Sequence, residues 1–268
     1  MEFQQIGVHH PAAEKVRDIQ NNRAPNPRRL FVAEGLYENN VVLTYDVEVD
    51  TFFWCPEMTY SHEAEKRAAQ LAERARRSYQ VSARTMGRLA ERPNPDGLLS
   101  IAALPQWSPD TLPLSDDALI LVTDGVEIPG NLGTLLRTLD ACNAEGLVMT
   151  NRRTRMTHPK VLRSSQGMST KVPSFEFEDT GEAIRWLRSR RFTVYLADTD
   201  ESTHYRHCHY AGRTALVVGS ERYGISQPWH DAGFARVGVP MLGAADSLNV
   251  AICASVLLYE ARAQKDGW

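Results

Sequence analysis

Residues 237–259 read VGVPMLGAADSLNVAICASVLLY, and this segment indicates the class of fold. A short apolar run ends at Pro240, a loop containing Gly243 follows, and an apolar segment too long for a strand begins near Ser247 and Asn249. The pattern predicts a strand, a loop and a helix, with Ser247 at the helix N-cap. Because the N-terminal end of a helix is positive, the loop suits an anionic group. A capped helix that binds nothing has the same local pattern.

The sequence before this segment alternates between predicted strands and helices. Short, nearly continuous apolar runs are typical of buried parallel strands. They span residues 118–123, 146–150, 174–177, 192–197, 214–218 and 235–239. Helical periodicity is found at residues 132–143, 159–165, 181–190 and 248–263. The alternation predicts a doubly wound α/β domain with a parallel sheet.

A proline-rich segment precedes this domain. Five of the 14 prolines fall between residues 93 and 113, where they remove donors that helices and interior strands need. We therefore predict a domain boundary near Leu112, with domains at residues 1–112 and 113–268. The first domain is predicted to be a small α/β unit. Its helices are expected at residues 12–20, 34–42, 61–77 and 82–91, and its strands at 30–33, 47–54, 79–81 and 98–103.

The charge balance limits the ways in which this chain can bind nucleic acid. The 268 residues have a formal net charge of −3, so binding requires a local basic patch. Residues 149–171 contain six Lys and Arg side chains and no acid. A second basic cluster, Arg23, Arg28 and Arg29, surrounds two prolines. We predict phosphate contacts at both, weakening with salt; a solvated surface is the alternative for each.

Neither a membrane segment nor a disulfide framework is predicted. The N-terminus lacks an apolar signal core, and the apolar run at residues 250–259 is too short to span a bilayer. The four cysteines show no CxxC spacing, which favours reduced thiols and a soluble, cytoplasmic protein. His204, His207, Cys208 and His209 are potential metal ligands, but their spacing matches no familiar zinc site, so no metal is predicted.

Three loops follow predicted strand ends and should meet at one edge of the sheet. They span residues 124–137, 219–224 and 240–249. Ligands of open α/β sheets bind outside the carboxyl ends of the strands. Neither G-x-G-x-x-G nor G-x-x-x-x-G-K-[ST] occurs, so a dinucleotide-dependent oxidoreductase and a P-loop NTPase are disfavoured.

The three loops also resemble a known family. NLGTLLRT (131–138), GSERYGIS (219–226) and VPMLGAADSLNVA (239–251) are similar, in order and spacing, to the motifs of the SpoU/TrmH class of RNA ribose 2'-O-methyltransferases, within the SPOUT superfamily. LRSSQG (162–167) resembles another segment of that family. RRLFVAEG (28–35) resembles the ribosomal-protein-like RNA-binding domain of its rRNA-modifying members, including the thiostrepton-resistance type.

The resemblance implies a C-terminal trefoil knot, a homodimer with the active site at its interface, and S-adenosylmethionine as cofactor. The residues it assigns to the cofactor are Ala197, Asp198, Thr199, Gly219, Ser220, Val239, Met241, Ser247 and Leu248. The residues it assigns to catalysis are Arg137, Glu221, Ser247 and Asn249. It implies that Asn131 touches RNA or holds the loop. The basic clusters add further predicted RNA contacts, which are Arg163 with Ser165, and Arg23, Arg28 and Arg29.

For Arg137 we predict orientation of the ribose hydroxyl and stabilisation of its developing negative charge, because a guanidinium holds its proton too firmly to act as a base. Glu221 is expected to contact the substrate or to tie the motifs together, and a purely structural salt bridge is the alternative. The resulting prediction is a ribose 2'-O-methyltransferase that acts on 23S rRNA, with no DNA or membrane partner. A tRNA ribose methyltransferase and a non-catalytic RNA-binding relative are the alternatives. Together, Arg137, Ser247 and Asn249 favour an enzyme.

Overall fold

The computed structural model describes residues 3–92, 95–200 and 202–268. The chain divides into two compact units, Met1–Pro105 with Thr157–Pro159, and Gln106–Met156 with Lys160–Trp268. The predicted boundary near Leu112 lies a few residues after this division, and Pro93, at the start of the proline-rich segment, lies outside the described residues.

The first unit contains a five-stranded mixed sheet with helices packed on it. Its strands are β1 (Gln4–Gln5), β2 (Leu30–Glu34), β3 (Val49–Trp54), β4 (Arg77–Gln80) and β5 (Leu98–Ala103). Its helices are α1 (Pro11–Asn21), α2 (Gly35–Thr44), α3 (His62–Arg74) and α4 (Ala83–Leu89). The sheet order is β1-β4-β3-β5-β2, and β5 runs antiparallel to β2 and β3.

Apolar side chains explain why the first unit folds. Phe53, Met86, Leu99 and Ile101 are completely buried in one cluster between the sheet and its helices. Serine hydroxyls begin two of the helices: Ser61 accepts from the Ala64 amide, and Ser82 accepts from the Thr85 amide. The predicted helices and strands of this unit agree with the structure, apart from end residues and the unpredicted two-residue β1.

The second unit contains a seven-stranded sheet in which every pairing is parallel. Its strands are β6 (Leu119–Asp124), β7 (Gly146–Thr150), β8 (Ser174–Glu176), β9 (Thr193–Ala197), β10 (Thr203–His204), β11 (Thr214–Gly219) and β12 (Ala235–Gly238). Its helices are α5 (Pro129–Ala141), α6 (Pro159–Ser164), α7 (Thr180–Ser189), α8 (Gln227–Asp231) and α9 (Val250–Asp266). The strand order is β10-β12-β9-β11-β6-β7-β8.

The chain order reverses at the centre of this sheet. β6 pairs with β7 on one side and with β11 on the other, so the connections wind in opposite directions from this point. The loops after β6, β9, β11 and β12 leave from the same edge because all four strands are parallel. This arrangement confirms the predicted doubly wound parallel sheet.

The last helix returns from the side of the sheet to its middle. β12 lies next to the edge strand, yet α9 contacts β6, β11 and α5. Hydrogen bonds fix this position: the Thr138 and Ser255 hydroxyl oxygens are 3.0 Å apart, and the Arg262 guanidinium donates to the carbonyl of Cys142 at 2.9 Å. The return path is the one that a C-terminal knot requires. No helix in the described part of the chain is both long and apolar enough to cross a membrane.

Candidate functional site

The carboxyl edge of the second sheet contains a cleft of about 540 Å³. Residues after β9, β11 and β12 line it, together with the first turn of α9. All nine residues predicted to contact a cofactor are among them: Ala197, Asp198, Thr199, Gly219, Ser220, Val239, Met241, Ser247 and Leu248. The volume lies in the range typical of small-molecule and cofactor sites. The structure thus brings together the residues that the resemblance assigns to the cofactor, and their contact with it stays a prediction.

A chain of side-chain hydrogen bonds joins the three motif loops. Asn131 Nδ2, on the first turn of α5, donates to Glu221 Oε1 at 2.7 Å. Asn249 Nδ2 donates to Asn131 Oδ1 at 3.1 Å, and Asn249 Oδ1 accepts from the amide of Ala251 at 2.9 Å. One residue from each motif therefore participates in this series of hydrogen bonds.

Glu221 caps the start of α5. Its carboxylate accepts hydrogen bonds from the amides of Glu127 at 3.0 Å and Ile128 at 3.4 Å, in addition to that from Asn131. Burial alone would raise the pKa of Glu221, but the hydrogen bonds from the Glu127 amide and the Asn131 side chain outweigh it and lower the pKa. The carboxylate is therefore ionised at neutral pH. Its hydrogen bonds connect the second motif with the first, and it forms no ion pair with a described residue.

We expect Glu221→Gln to destabilise the protein at neutral pH by about 2–4 °C in Tm, the shift typical of a lost cap in a domain of this size. Because folding lowers the pKa of Glu221, its stabilising contribution is present above its unfolded pKa and disappears as the pH falls through the folded value. Thermal melts between pH 3 and 8 should show the difference from wild type shrinking below about pH 4.5. Glu178→Gln, an exposed glutamate with no partner among the described residues, is the control and should give no such trend.

The N-cap of α9 is Asn249, so the prediction that Ser247 occupies it is wrong. Helix α9 begins at Val250, and the Asn249 side chain accepts from the amides of Ala251 and Ile252. Ser247 lies in the exposed loop before it and lines the cleft. The two side chains have similar capping preferences, and the hydrogen bond of Asn249 to Asn131 fixes where the helix begins.

Two glycines in the first turns of α5, Gly130 and Gly133, have different surroundings. A Cβ on Gly133 would lie 1.9 Å from Ser164 Oγ and 2.7 Å from the Val161 carbonyl, so this glycine allows α5 and α6 to pack closely. A Cβ on Gly130 would meet nothing within 4 Å. Gly133 therefore serves the packing of the two helices, whereas Gly130 faces open space.

Arg137 lies on the exposed side of α5 and not among the residues that line the cleft. It comes six positions after Asn131, and its neighbour Thr138 contacts Ser255 on α9. Arg137 forms no hydrogen bond or ion pair with any residue in the described ranges. Its guanidinium is available to a molecule that binds beside α5, and its assignment to catalysis remains a prediction.

The predicted RNA contacts fall into two groups. Arg163 is half-buried on α6, whereas Ser165 is completely buried and donates from its hydroxyl to the Leu162 carbonyl at 3.0 Å. A buried hydroxyl cannot reach an RNA strand, so the structure does not support Ser165 as an RNA contact. In the same basic segment, Arg152 pairs with Glu176 at 2.6 Å and Lys171 pairs with Asp140 at 2.5 Å. These two ion pairs reduce the positive charge that residues 149–171 can offer to RNA.

The arginine turn of the first unit is also partly neutralised. Arg28 pairs with both Asp50 and Glu48 at 2.6 Å. Burial would raise the pKa of Asp50, but hydrogen bonds from Lys15, Arg28 and Thr51 lower it to about 2. Arg29 is half-buried and donates to the Pro105 carbonyl at 3.2 Å, while Arg23 is exposed. Of the three predicted contacts, Arg23 alone has an exposed side chain with no partner within the described residues.

A buried carboxylate that sequence analysis missed supports the second motif. Asp124, at the end of β6, accepts from Thr150 Oγ1 at 2.9 Å and Asn151 Nδ2 at 2.7 Å, and its second oxygen accepts from the Ser226 amide at 2.7 Å. Asp124 is only 2% exposed, so these bonds replace water around the charge. The carboxylate thereby fixes the end of the loop that begins at Gly219.

His230 on α8 lines the cleft and was also missed. Its Nδ1 is buried and has no hydrogen-bond partner within the described residues. A buried polar atom without a partner costs free energy unless a ligand or water satisfies it. The signal in the sequence was weak, because a single histidine beside Trp229 looks like part of an ordinary apolar helix face.

We expect His230→Phe to weaken binding of the molecule that occupies the cleft. Phenylalanine keeps a ring of similar size and removes the Nδ1 atom, and one hydrogen bond contributes roughly 0.5–1.5 kcal/mol, or about 3- to 10-fold in affinity. Isothermal titration with S-adenosylmethionine measures the change. His207→Phe, outside the cleft, is the control. Unchanged affinity in His230→Phe would exclude the contact.

In the histidine-rich segment at residues 204–209, as elsewhere in the described residues, no three His, Cys, Asp or Glu side chains are grouped so that they could hold a metal ion. The rings of His204 and Tyr205 are stacked with centroids 4.9 Å apart, and His204 Nδ1 accepts from the Arg206 amide at 3.2 Å. Cys208 is buried, and its Sγ contacts the His204 carbonyl at 3.9 Å. Local contacts therefore account for these side chains.

Comparisons with known proteins agree with this geometry. The model of the SpoU rRNA Methylase family matches residues 118–259. The chain is 31% identical over 179 residues to a 23S rRNA (uridine(2479)-2'-O)-methyltransferase from Streptomyces viridochromogenes, covering 64% of this chain but only 61% of that relative. It is 27% identical over 256 residues to an uncharacterized tRNA/rRNA methyltransferase from Synechocystis sp., covering 96% and 92% of the two chains. The crystal structure of an AdoMet-bound rRNA methyltransferase from Sinorhizobium meliloti matches with a TM-score of 0.86 at 26% identity, covering 97% of each chain.

Proposed function

The chain belongs to the SpoU rRNA methylase family, and from this premise we propose that it transfers a methyl group from S-adenosylmethionine to a ribose 2'-hydroxyl in RNA. The observation that supports this best is the hydrogen-bonded series Glu221–Asn131–Asn249, which joins all three motif loops beside one cleft. The membership confirms the resemblance and the fold class predicted from the motifs, and the family fold agrees with the predicted knot.

The cleft fits S-adenosylmethionine in size and chemistry. Apolar residues such as Val218, Val239 and Leu248 line it together with glycine and polar residues that follow the strands. The carboxylates of Asp198 and Glu221 lie on the same lining and offer favourable electrostatics to a cationic ligand. His230 Nδ1 supplies a buried polar atom that lacks a partner in the described residues. These features are what a sulfonium cofactor with a polar amino-acid end and a flat base requires.

The bound cofactor would supply a methyl group that leaves its positively charged sulfur for the ribose oxygen, while the hydroxyl proton is lost to solvent. Arg137 would hold the hydroxyl in line and stabilise the negative charge that develops on its oxygen. Its exposed position on α5 suits an RNA strand that approaches from outside the cleft. Asn131 and Asn249 would position the first turn of α5 relative to the cleft, and Glu221 would hold Asn131.

We propose that the substrate is 23S rRNA. Support comes from the Streptomyces relative, which is a 23S rRNA methyltransferase by name, and from the Sinorhizobium structure, an rRNA methyltransferase that matches almost the whole chain. The first unit would then serve as an RNA-substrate-binding domain. A tRNA substrate is the alternative, since the Synechocystis relative is named for both RNAs.

We further propose that the enzyme is a cytoplasmic homodimer. Exposed apolar side chains on α9 and the preceding loop support an interface: Leu242 is 95% exposed, Ile252 53% and Tyr259 43%. Ile252 and Tyr259 lie seven positions apart, so they share one face of α9. Clustered exposed apolar groups of this kind mark interaction sites. A second copy seated on this face would place the active site at the interface, as the family resemblance implies.

The decisive experiment incubates the protein with methyl-labelled S-adenosylmethionine and separate pools of rRNA and tRNA. Label in 23S rRNA at an alkali-resistant linkage is the expected result, because 2'-O-methylation blocks cleavage at that nucleotide. Label in tRNA alone would establish the alternative substrate. Label on a base would contradict ribose chemistry, and RNA binding without transfer of label would indicate a non-catalytic relative.

A further inference from the structure

The first unit contains a basic groove of about 450 Å³ that lies apart from the arginine turn at residues 23–29. The loop after β1 forms one wall and α4 forms the other. The residues that line the groove are Gly7, Val8, His9, His10, Arg84, Thr85 and Arg88. Two arginines and two histidines are among them, and none of them is acidic. Val8 is the one large apolar residue, so the groove suits a polar, anionic ligand.

Arg84 and Arg88 are four positions apart and therefore lie on the same face of α4. Both are exposed, and neither forms an ion pair or hydrogen bond with a residue in the ranges 3–92, 95–200 and 202–268. Two like charges at this spacing repel each other. An anion bound between them would remove the repulsion, and a guanidinium can hold phosphate through two parallel hydrogen bonds.

A third guanidinium adds to the charge of the same groove. Arg17 Nη2, on α1, donates to the carbonyl of Val8 at 3.2 Å. His9 is exposed beside it, whereas His10 has a structural role, because its Nδ1 accepts from the Ala12 amide at 3.2 Å at the start of α1. At the start of α4, Glu57 accepts from the Ala83 amide at 3.3 Å, and it does not line the groove.

Arginines elsewhere in the unit contrast with this pair. Arg28, Arg74 and Arg76 each pair with a carboxylate, on Asp50, Asp46 and Glu48 respectively, at distances of 2.6, 3.0 and 2.9 Å. Their charge is already compensated within the fold. Within the described residues no carboxylate pairs with Arg84 or Arg88, so the positive charge of the groove is available to a ligand.

We propose that this groove binds backbone phosphates of the RNA substrate and is the main electrostatic contact of the first unit with RNA. The inference rests on the proposed function and locates its RNA contact at α4 and the loop after β1, not at the arginine turn. Guanidinium groups contact phosphate without reading sequence. The groove should therefore increase the affinity for RNA and leave the choice of nucleotide to the second unit.

The test compares Arg84→Gln/Arg88→Gln with Arg74→Gln/Arg76→Gln, which removes the same charge from paired arginines of the same unit. Binding of in-vitro transcribed 23S rRNA to the full chain is measured by fluorescence anisotropy between 50 and 300 mM KCl. The slope of log K against log salt should decrease by about 0.7–0.9 for each lost phosphate contact, and Kd near 100 mM salt should rise about 10- to 50-fold. The control should change Kd by less than about threefold.

Several outcomes separate the groove from the proposed activity. S-adenosylmethionine binding should be unchanged in both variants, and in methyl-transfer assays the α4 variant should raise KM for RNA while kcat at saturating RNA stays the same.

An equal loss of RNA affinity in the control would show that the effect comes from net charge and would overturn the proposal. Normal RNA affinity of the α4 variant would also overturn it while leaving the methyltransferase proposal intact. Binding of anionic phospholipid vesicles in preference to RNA, lost in the α4 variant, would assign the groove to a membrane surface. A wild-type protein that binds RNA through the groove but transfers no methyl group would contradict the proposed activity and support the groove as an RNA contact.

Discussion

Arg137→Ala is expected to lower kcat for RNA methylation about 100- to 1,000-fold, the usual effect of removing a group that stabilises a developing oxyanion. The side chain is exposed on α5 and forms no hydrogen bond or ion pair with the described residues, so its loss should leave folding intact. It is also absent from the lining of the cleft, so the affinity for S-adenosylmethionine should stay within about twofold of wild type. Single-turnover transfer of label and isothermal titration measure the two quantities separately.

Two further variants test the role assigned to this guanidinium. Arg137→Lys keeps the positive charge but loses the planar pair of donors, so its kcat should lie between those of wild type and alanine. Arg185→Ala removes another exposed arginine of the second unit, which pairs with Asp179 at 3.5 Å, and should have normal kcat. An Arg137→Ala protein with normal kcat would show that this arginine is an ordinary surface residue and would leave the proposed chemistry without its charge-stabilising group.

The sequence predicted the sheet well because the signals that define it are local. Residues 146–150 and 98–103 were assigned to strands with the observed bounds, since each is a short apolar run bounded by polar or turn residues. The two-residue strands β1 and β10 have no such pattern. They pair with β4 and β12 through contacts that depend on the finished fold, and nothing in their own sequence predicts them.

The site was predicted as a set of residues but not as a network. The family resemblance of the motifs grouped Gly219, Val239 and Leu248, and the structure has all three on the lining of one cleft. The hydrogen bonds that connect Asn131 to residues 221 and 249 span about a hundred positions in sequence, and no local pattern reveals them. The same limitation applies to Arg28, whose carboxylate partners lie on and beside β3. The sequence predicts a phosphate contact for this arginine, but its guanidinium is already paired with those carboxylates.

Gly219→Ala should weaken S-adenosylmethionine binding about 10- to 100-fold and abolish methyl transfer at ordinary cofactor concentrations. A Cβ at this position would lie 2.1 Å from the Gly224 carbonyl carbon and 2.3 Å from the Ile225 nitrogen, so the backbone of the second motif must move. Two hydrogen bonds between Ser220 and Gly224, both 2.9 Å, close the loop and prevent a small adjustment. Overpacking of this kind costs roughly 1–3 kcal/mol. A free-energy cost of this size at the cofactor loop corresponds to the expected loss of affinity for S-adenosylmethionine.

The matched control for this prediction is Gly130→Ala, because it adds the same methyl group at the same edge of the sheet and would meet nothing within 4 Å. Its affinity for S-adenosylmethionine should equal that of wild type in isothermal titration. Raised cofactor concentration should partly restore methyl transfer by Gly219→Ala, whereas it should not restore Arg137→Ala, since the first variant is impaired in binding and the second in chemistry. Normal binding by Gly219→Ala would mean that the loop after β11 does not form the cofactor site, and the cleft would then need a different ligand.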